Sequence, residues 1–149
     1  MAAEHPAVGC YIDTSALVKR YVPEPGSDAF EEFCSSCGLS MSISPLGSTE
    51  FAGVLQRRLR TRQLTLRQAA AIRQRFAADV LAGGWSLIEF GADAFAKASE
   101  LITHLGAPLA TLDALHLACA LQHGTRELAT GDRQLATAAR KAGLRVHLF

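Results

Sequence analysis

Short apolar runs alternate with longer amphipathic stretches along this chain. Val8-Gly-Cys-Tyr-Ile-Asp13 is an apolar run ending in an acid, which predicts a buried strand. Thr14 to Val22 follows as a helix, stopped by Pro23-Glu-Pro-Gly26. Ser27 to Ser36 predicts a second helix, with Ala29, Phe30 and Phe33 on one face and Gly38 just past its end. Leu39 to Ile43 alternates Leu, Met and Ile with serines, a weaker strand signal. Ser44-Pro45 reads as an N-cap followed by proline at the first helical position, opening a helix to about Arg60.

The second half repeats the pattern. Thr65 to about Leu81 is helical, and Gly83-Gly84 ends it. Trp85 to Phe90 predicts a strand, and Ala92 to Leu105 a helix closed by Gly106. Thr111 to Gln122 is apolar almost all round, so this helix should be buried, with Gly124 after it. Glu127 to Thr130 is a short strand, Asp132 to Ala142 a helix capped by Gly143, and Leu144 to Leu148 a last strand. Strands alternating with helices predict an α/β three-layer sandwich with a central, mostly parallel sheet. The 149 residues suit one domain spanning 1–149. Ligands of such sheets bind at the carboxyl ends of the strands, where Asp13 and Asp132 both fall.

Composition narrows the class. A hydrophobic fraction of 49% can fill a core and excludes a disordered chain. No stretch approaches the roughly 20 apolar residues of a membrane helix. Met1 to Pro6 contains Glu4 and no basic region, so it does not read as a signal peptide, and a cytoplasmic location is expected. Of the four cysteines, Cys10 and Cys119 read as small core residues. Cys34 and Cys37 form a lone C-x-x-C with no second pair to complete a zinc site. The net charge of +1 hides a block without acids from Phe51 to Ala78 that carries seven arginines, among them Arg57, Arg58 and Arg60. Such a block either attracts phosphates or forms a solvated helical face.

Four carboxylates stand out. Asp13 and Asp132 each precede a helix, where an N-cap role would account for them. Asp113 lies in the first turn of an apolar helix, where it complements the helix dipole with Thr111 as the cap. A buried carboxylate there is costly unless it is protonated or a cation is near. Glu50 lies beyond the position a capping box uses, and is either an exposed helix residue or a site residue. Several converging carboxylates suit Mg²⁺ or Mn²⁺, hard ions that prefer oxygen ligands and activate bound water. Thr14, Ser15 and Thr130 could orient a ligand carboxylate or make ordinary turn and cap bonds.

Four segments carry a family likeness: Tyr11-Ile-Asp-Thr-Ser-Ala-Leu17, Ser44-Pro-Leu-Gly-Ser-Thr-Glu50, Leu112-Asp-Ala-Leu-His-Leu-Ala118 and Ala129-Thr-Gly-Asp-Arg-Gln-Leu135. In this order and spacing they resemble the PIN-domain nucleases, and more closely the VapC toxins of bacterial toxin–antitoxin pairs. The resemblance spans nearly the whole chain. It implies that a parallel sheet gathers Asp13, Glu50, Asp113 and Asp132 as catalytic and metal-holding acids. It also implies Mg²⁺- or Mn²⁺-dependent cleavage of RNA, a homodimer, and a cognate VapB-like antitoxin. Two positions depart from the family pattern. His116 stands where an aliphatic residue is more usual, and Gly47 where a bulkier one is.

Other readings remain open on sequence alone. A housekeeping RNA-processing nuclease would use the same site. A non-catalytic RNA- or protein-binding domain would be expected to lose acids, and here all four are present. A phosphotransferase with Asp13 as nucleophile would want an aspartate at the position of Ser15. His116 falls one turn after Asp113, on nearly the same face, as a satisfied buried histidine or a substrate contact.

Overall fold

The computed structural model describes residues 9–89 and 91–149. Val8, Phe90 and the Met1 to Pro6 segment of the sequence reading lie outside these residues. In chain order the described elements are β1 (Gly9–Ile12), α1 (Thr14–Lys19), α2 (Ser27–Ser36), β2 (Ser40–Ile43), α3 (Pro45–Arg60) and α4 (Leu66–Leu81). They continue with β3 (Ser86–Leu87), α5 (Ala92–His104), α6 (Thr111–Gln122), β4 (Glu127–Thr130), α7 (Arg133–Lys141) and β5 (Arg145–Leu148).

The strands form one sheet in the order β3-β2-β1-β4-β5, and every neighbouring pair is parallel. Strand β1 is central, and the chain builds outward from it in both directions. The crevice at its carboxyl end is therefore the place where such a sheet binds ligands. Successive side chains of a strand point to opposite faces, and the core divides accordingly. Tyr11 and Leu128 pack with Leu115, Leu117 and Leu135 on one face. Cys10, Ile12 and Ala129 pack with Leu17, Phe30, Phe51 and Leu55 on the other. Helices cover both faces, which gives the three layers that the alternating pattern predicts. Among the described residues no helix is long and apolar enough to cross a membrane.

Four local expectations need correction. Helix α1 ends at Lys19 rather than Val22. Tyr21 and Val22 are buried, so their apolar character records packing, and the proline after Val22 disfavours helix there. The strand expected over Trp85 to Phe90 is only Ser86–Leu87, at the sheet edge. Trp85 instead turns into the core and donates its indole N–H to the Tyr21 hydroxyl at 2.7 Å. In α2, Phe30 is buried and Phe33 half-buried against the core, but Ala29 is exposed. Helix α6 is capped by Ala110 with no side-chain bond, so Thr111 is its first residue and not its cap.

Candidate active site

Four crossovers deliver the acids to one place. Asp13 caps α1 directly after β1, and Asp132 caps α7 two residues after β4. Ser44 caps α3 after β2, accepting the Gly47 N–H at 3.4 Å, and the next turn of α3 carries Glu50. Asp113 comes from the first turn of α6. Asp13, Glu50, Asp113 and Asp132 all line one cavity of about 580 Å³. Capping and clustering therefore coexist, because a strand-to-helix turn serves both.

Hydroxyls fix Asp13. Its Oδ2 accepts from Ser15 Oγ at 2.5 Å and from Thr130 Oγ1 at 2.9 Å. Thr130 Oγ1 also accepts the Asp132 N–H at 2.9 Å, so one side chain ties two of the acids together. Ser15 Oγ accepts the Gly131 N–H at 2.8 Å, joining the two strand-end loops. Asp132 uses Oδ1 to cap its helix, accepting from the N–H groups of Gln134 and Leu135 at 2.7 and 3.0 Å.

Glu50 is held from a second direction. Thr14 Oγ1 donates to its Oε1 at 2.8 Å, and His116 Nε2 contacts the same oxygen. His116 is 1% exposed, and its Nε2 also lies 3.5 Å from Asp13 Oδ1. Its Nδ1 is 2.7 Å from the Tyr11 hydroxyl, which is 2.8 Å from Ser44 Oγ. The histidine is thus satisfied at both nitrogens and faces two of the acids. Gly47 lies against this pair: a Cβ there would sit at ordinary contact, 3.7 Å from Thr14 Oγ1 and 3.9 Å from the His116 ring.

The electrostatics follow this geometry. Burial pushes Asp113 up to about 6, and the charges of Asp13, Asp132 and Glu50 add to the rise while His116 opposes it. For Glu50, burial works toward a higher pKa, but the His116 contact and the Thr14 bond outweigh it and lower the value. For His116, burial favours the neutral ring, yet the bond to Glu50 and the charge of Asp13 raise its pKa. Burial and the negative charge of its neighbours therefore make Asp113 hold its proton to a higher pH than a free carboxyl does.

The donor set is oxygen-rich and anionic, the chemistry that hard divalent ions take. Among the described residues no three His, Cys, Asp or Glu side chains form a ready-made metal cage. Asp13, Glu50 and Asp132 each accept protein hydrogen bonds on one carboxylate oxygen, and the second oxygen of Asp13 faces His116 at 3.5 Å. The chemistry of the residues fits a divalent ion.

Arg57, Arg58 and Arg60, at the end of α3, line the same cavity. Arg58 pairs with Glu24. Neither Glu24 nor Lys19, which also lines the cavity, is marked by the sequence pattern, because both sit in an ordinary helix-to-turn segment. Tyr11 and Ser44 are likewise invisible beforehand as site residues. Tyr11 reads as a core aromatic and Ser44 as a cap. The hint available for His116 was a lone polar ring on an apolar helix one turn from Asp113. Cys34 and Cys37 are free thiols away from this cavity.

A parallel sheet with acids converging at the carboxyl end of its central strand defines an α/β domain with an acidic cleft. The chain belongs to the PIN domain family, whose sequence model matches residues 10–141. Several solved structures share the fold at low identity. The VapC20 toxin of Mycobacterium tuberculosis, described as cleaving the sarcin-ricin loop, is 20% identical, with a TM-score of 0.69 over 87% of this chain and 95% of that one. FitAcB from Neisseria gonorrhoeae is 19% identical, with a TM-score of 0.67 over 92% and 95% of the two chains. DNA-bound VapBC from Salmonella typhimurium is 15% identical, with a TM-score of 0.67 over 94% and 97%. At such identities the likeness speaks for the fold. No curated protein is matched by sequence.

Proposed function

We propose that this chain, as one PIN domain over residues 1–149, is a metal-dependent endoribonuclease of the VapC type, the toxin of a toxin–antitoxin pair. One observation carries the reading: Asp13, Glu50, Asp113 and Asp132 come from separate elements yet line one cavity whose rim holds Arg57, Arg58 and Arg60. A cluster of acids alone would repel RNA. The four acids would hold Mg²⁺ or Mn²⁺, which would offset their charge and supply an activated water and Lewis-acid stabilisation for phosphodiester hydrolysis.

The chain's own residues divide the work. Asp13, Glu50, Asp113 and Asp132 would hold the ion. Ser15 and Thr130 orient Asp13, while Thr14 and His116 orient Glu50. The arginines take the flanking phosphates of the RNA backbone. The solved VapBC and FitAB assemblies support a VapB-like antitoxin as partner. A homodimer and a cytoplasmic location belong to the same proposal.

Purified protein incubated with mixed cellular RNA tests it. The reading expects new, defined RNA ends with Mn²⁺ or Mg²⁺ and none with EDTA. Intact RNA under both conditions, from folded protein freed of antitoxin, would overturn it.

A further inference from the structure

Two cations converge on one acid at the rim of the cavity. Lys19, the last residue of α1, places Nζ 3.1 Å from Glu24 Oε1, and Arg58 of α3 pairs with Glu24 Oε2. All three side chains are largely covered, with exposures of 10%, 21% and 23% for Lys19, Glu24 and Arg58. Lys19 is further anchored by donating to the Pro25 carbonyl at 2.7 Å. It also packs against the loop that carries Asp132: a Cβ on Gly131 would lie 3.0 Å from its Cε and 3.5 Å from its Nζ. Lys19 therefore spans from the Glu24 pair to the edge of the acidic cluster.

We propose that Lys19 and Arg58 form a subsite for an RNA backbone phosphate next to the carboxylate cluster, and that Glu24 fills this subsite until RNA displaces it. This rests on the ribonuclease reading above. A carboxylate and a phosphodiester present similar anionic oxygens to an ammonium and a guanidinium. Both cations come from separate elements and share one acid, so the acid acts as an internal stand-in for the ligand. Breaking two partly covered ion pairs raises the cost of RNA binding, and the pre-positioned cations lower the cost of ordering them. Gly131 lets Lys19 lie close to the loop, since a Cβ there would make its side chain give by a few tenths of an ångström.

Binding of a fluorescein-labelled, mixed-sequence 20-nucleotide RNA is measured by anisotropy across a salt series with Mg²⁺. The catalytically silenced D113N protein serves as the parent, and circular dichroism checks that every variant is folded. Adding Glu24→Gln should tighten binding by about three- to tenfold at low salt, as one more cation pair is freed for phosphate. Glu31→Gln removes the same charge from the exposed Arg20 pair outside the cavity and should shift binding much less. Lys19→Gln with Arg58→Gln should flatten the slope of log K against log salt by about 1.4, the loss of two single-strand contacts.

Equal affinities for the E24Q and E31Q proteins, or an unchanged slope in the K19Q/R58Q protein, would overturn the subsite while leaving the ribonuclease reading intact. A parent that shows no salt-dependent RNA binding would overturn both.

Discussion

The Tyr11 hydroxyl and His116 Nδ1 lie 2.7 Å apart although 105 residues separate them in sequence. This bond leaves Nε2 to face Glu50 and Asp13. The central strand thus sets the orientation of a ring on α6, and the ring in turn sets a carboxylate on α3. Replacing His116 by Leu keeps the volume of the buried site but frees Glu50. The expected result is a folded protein with Mn²⁺ affinity and RNA cleavage both lowered about 10- to 100-fold, the usual cost of losing an orienting partner. Calorimetric Mn²⁺ titration beside initial cleavage rates checks this.

Tyr11→Phe removes the hydroxyl's two bonds, to His116 Nδ1 and Ser44 Oγ, and leaves the ring in the core. It should cost about 1–3 kcal/mol in urea unfolding and reduce Mn²⁺ affinity less than the His116 change. An effect on Mn²⁺ equal to that of the H116L protein would mean that the tyrosine acts on the site by another route.

Thr130 donates to Asp13 and accepts from the Asp132 N–H, and it is fully buried. Thr130→Val keeps the shape but takes the acceptor from the part-buried Asp132 amide, so a loss of about 1–2 kcal/mol is expected in chemical denaturation. Cleavage should fall with it, because Asp13 loses one of its two hydroxyl donors. Thr130→Ser should restore most of both.

The pH dependence of stability centres on Asp113, whose pKa rises from 3.8 to about 6 on folding. For an acid with a raised value, the stabilising contribution is complete below 3.8 and disappears as pH climbs through 6. Without metal, Asp113→Asn should therefore stabilise the protein near pH 7.5. The gain should be about 1–2 kcal/mol once partial exposure is discounted, and should vanish toward pH 4. Thermal melts at both pH values measure it. Metal binding to the wild-type protein should weaken as pH falls through about 6, as protons compete for the same carboxylate.

Arg57, Arg58 and Arg60 replaced together by Gln should lower the salt slope of RNA binding by about 2, with little change in Mn²⁺ affinity. An unaltered slope would assign these side chains to solvent or to a protein partner.

Much of the fold was legible in the sequence. The cap residues Asp13, Ser44 and Asp132 and the apolar periods placed most helices within a residue or two of their ends. Errors fell where burial and secondary structure part company. Tyr21, Val22 and Trp85 are apolar because they fill the core beside Phe51, not because they continue a helix or strand. The acids stood out as a set through the family likeness of their four segments, and Asp113 also because a carboxylate in an apolar helix is costly. Their supports did not. The Tyr11–His116–Glu50 chain and the Glu24–Arg58 pair join elements far apart in sequence, and each residue has an ordinary local reason for its identity.

The most direct test of the central claim is calorimetric titration of Mn²⁺ into the wild-type, D13N and D113N proteins at pH 7.5, each shown to be folded. The account predicts saturable binding by the wild type and a loss of at least about tenfold in affinity for both variants, in step with lost RNA cleavage. Equal Mn²⁺ binding by all three proteins would contradict it.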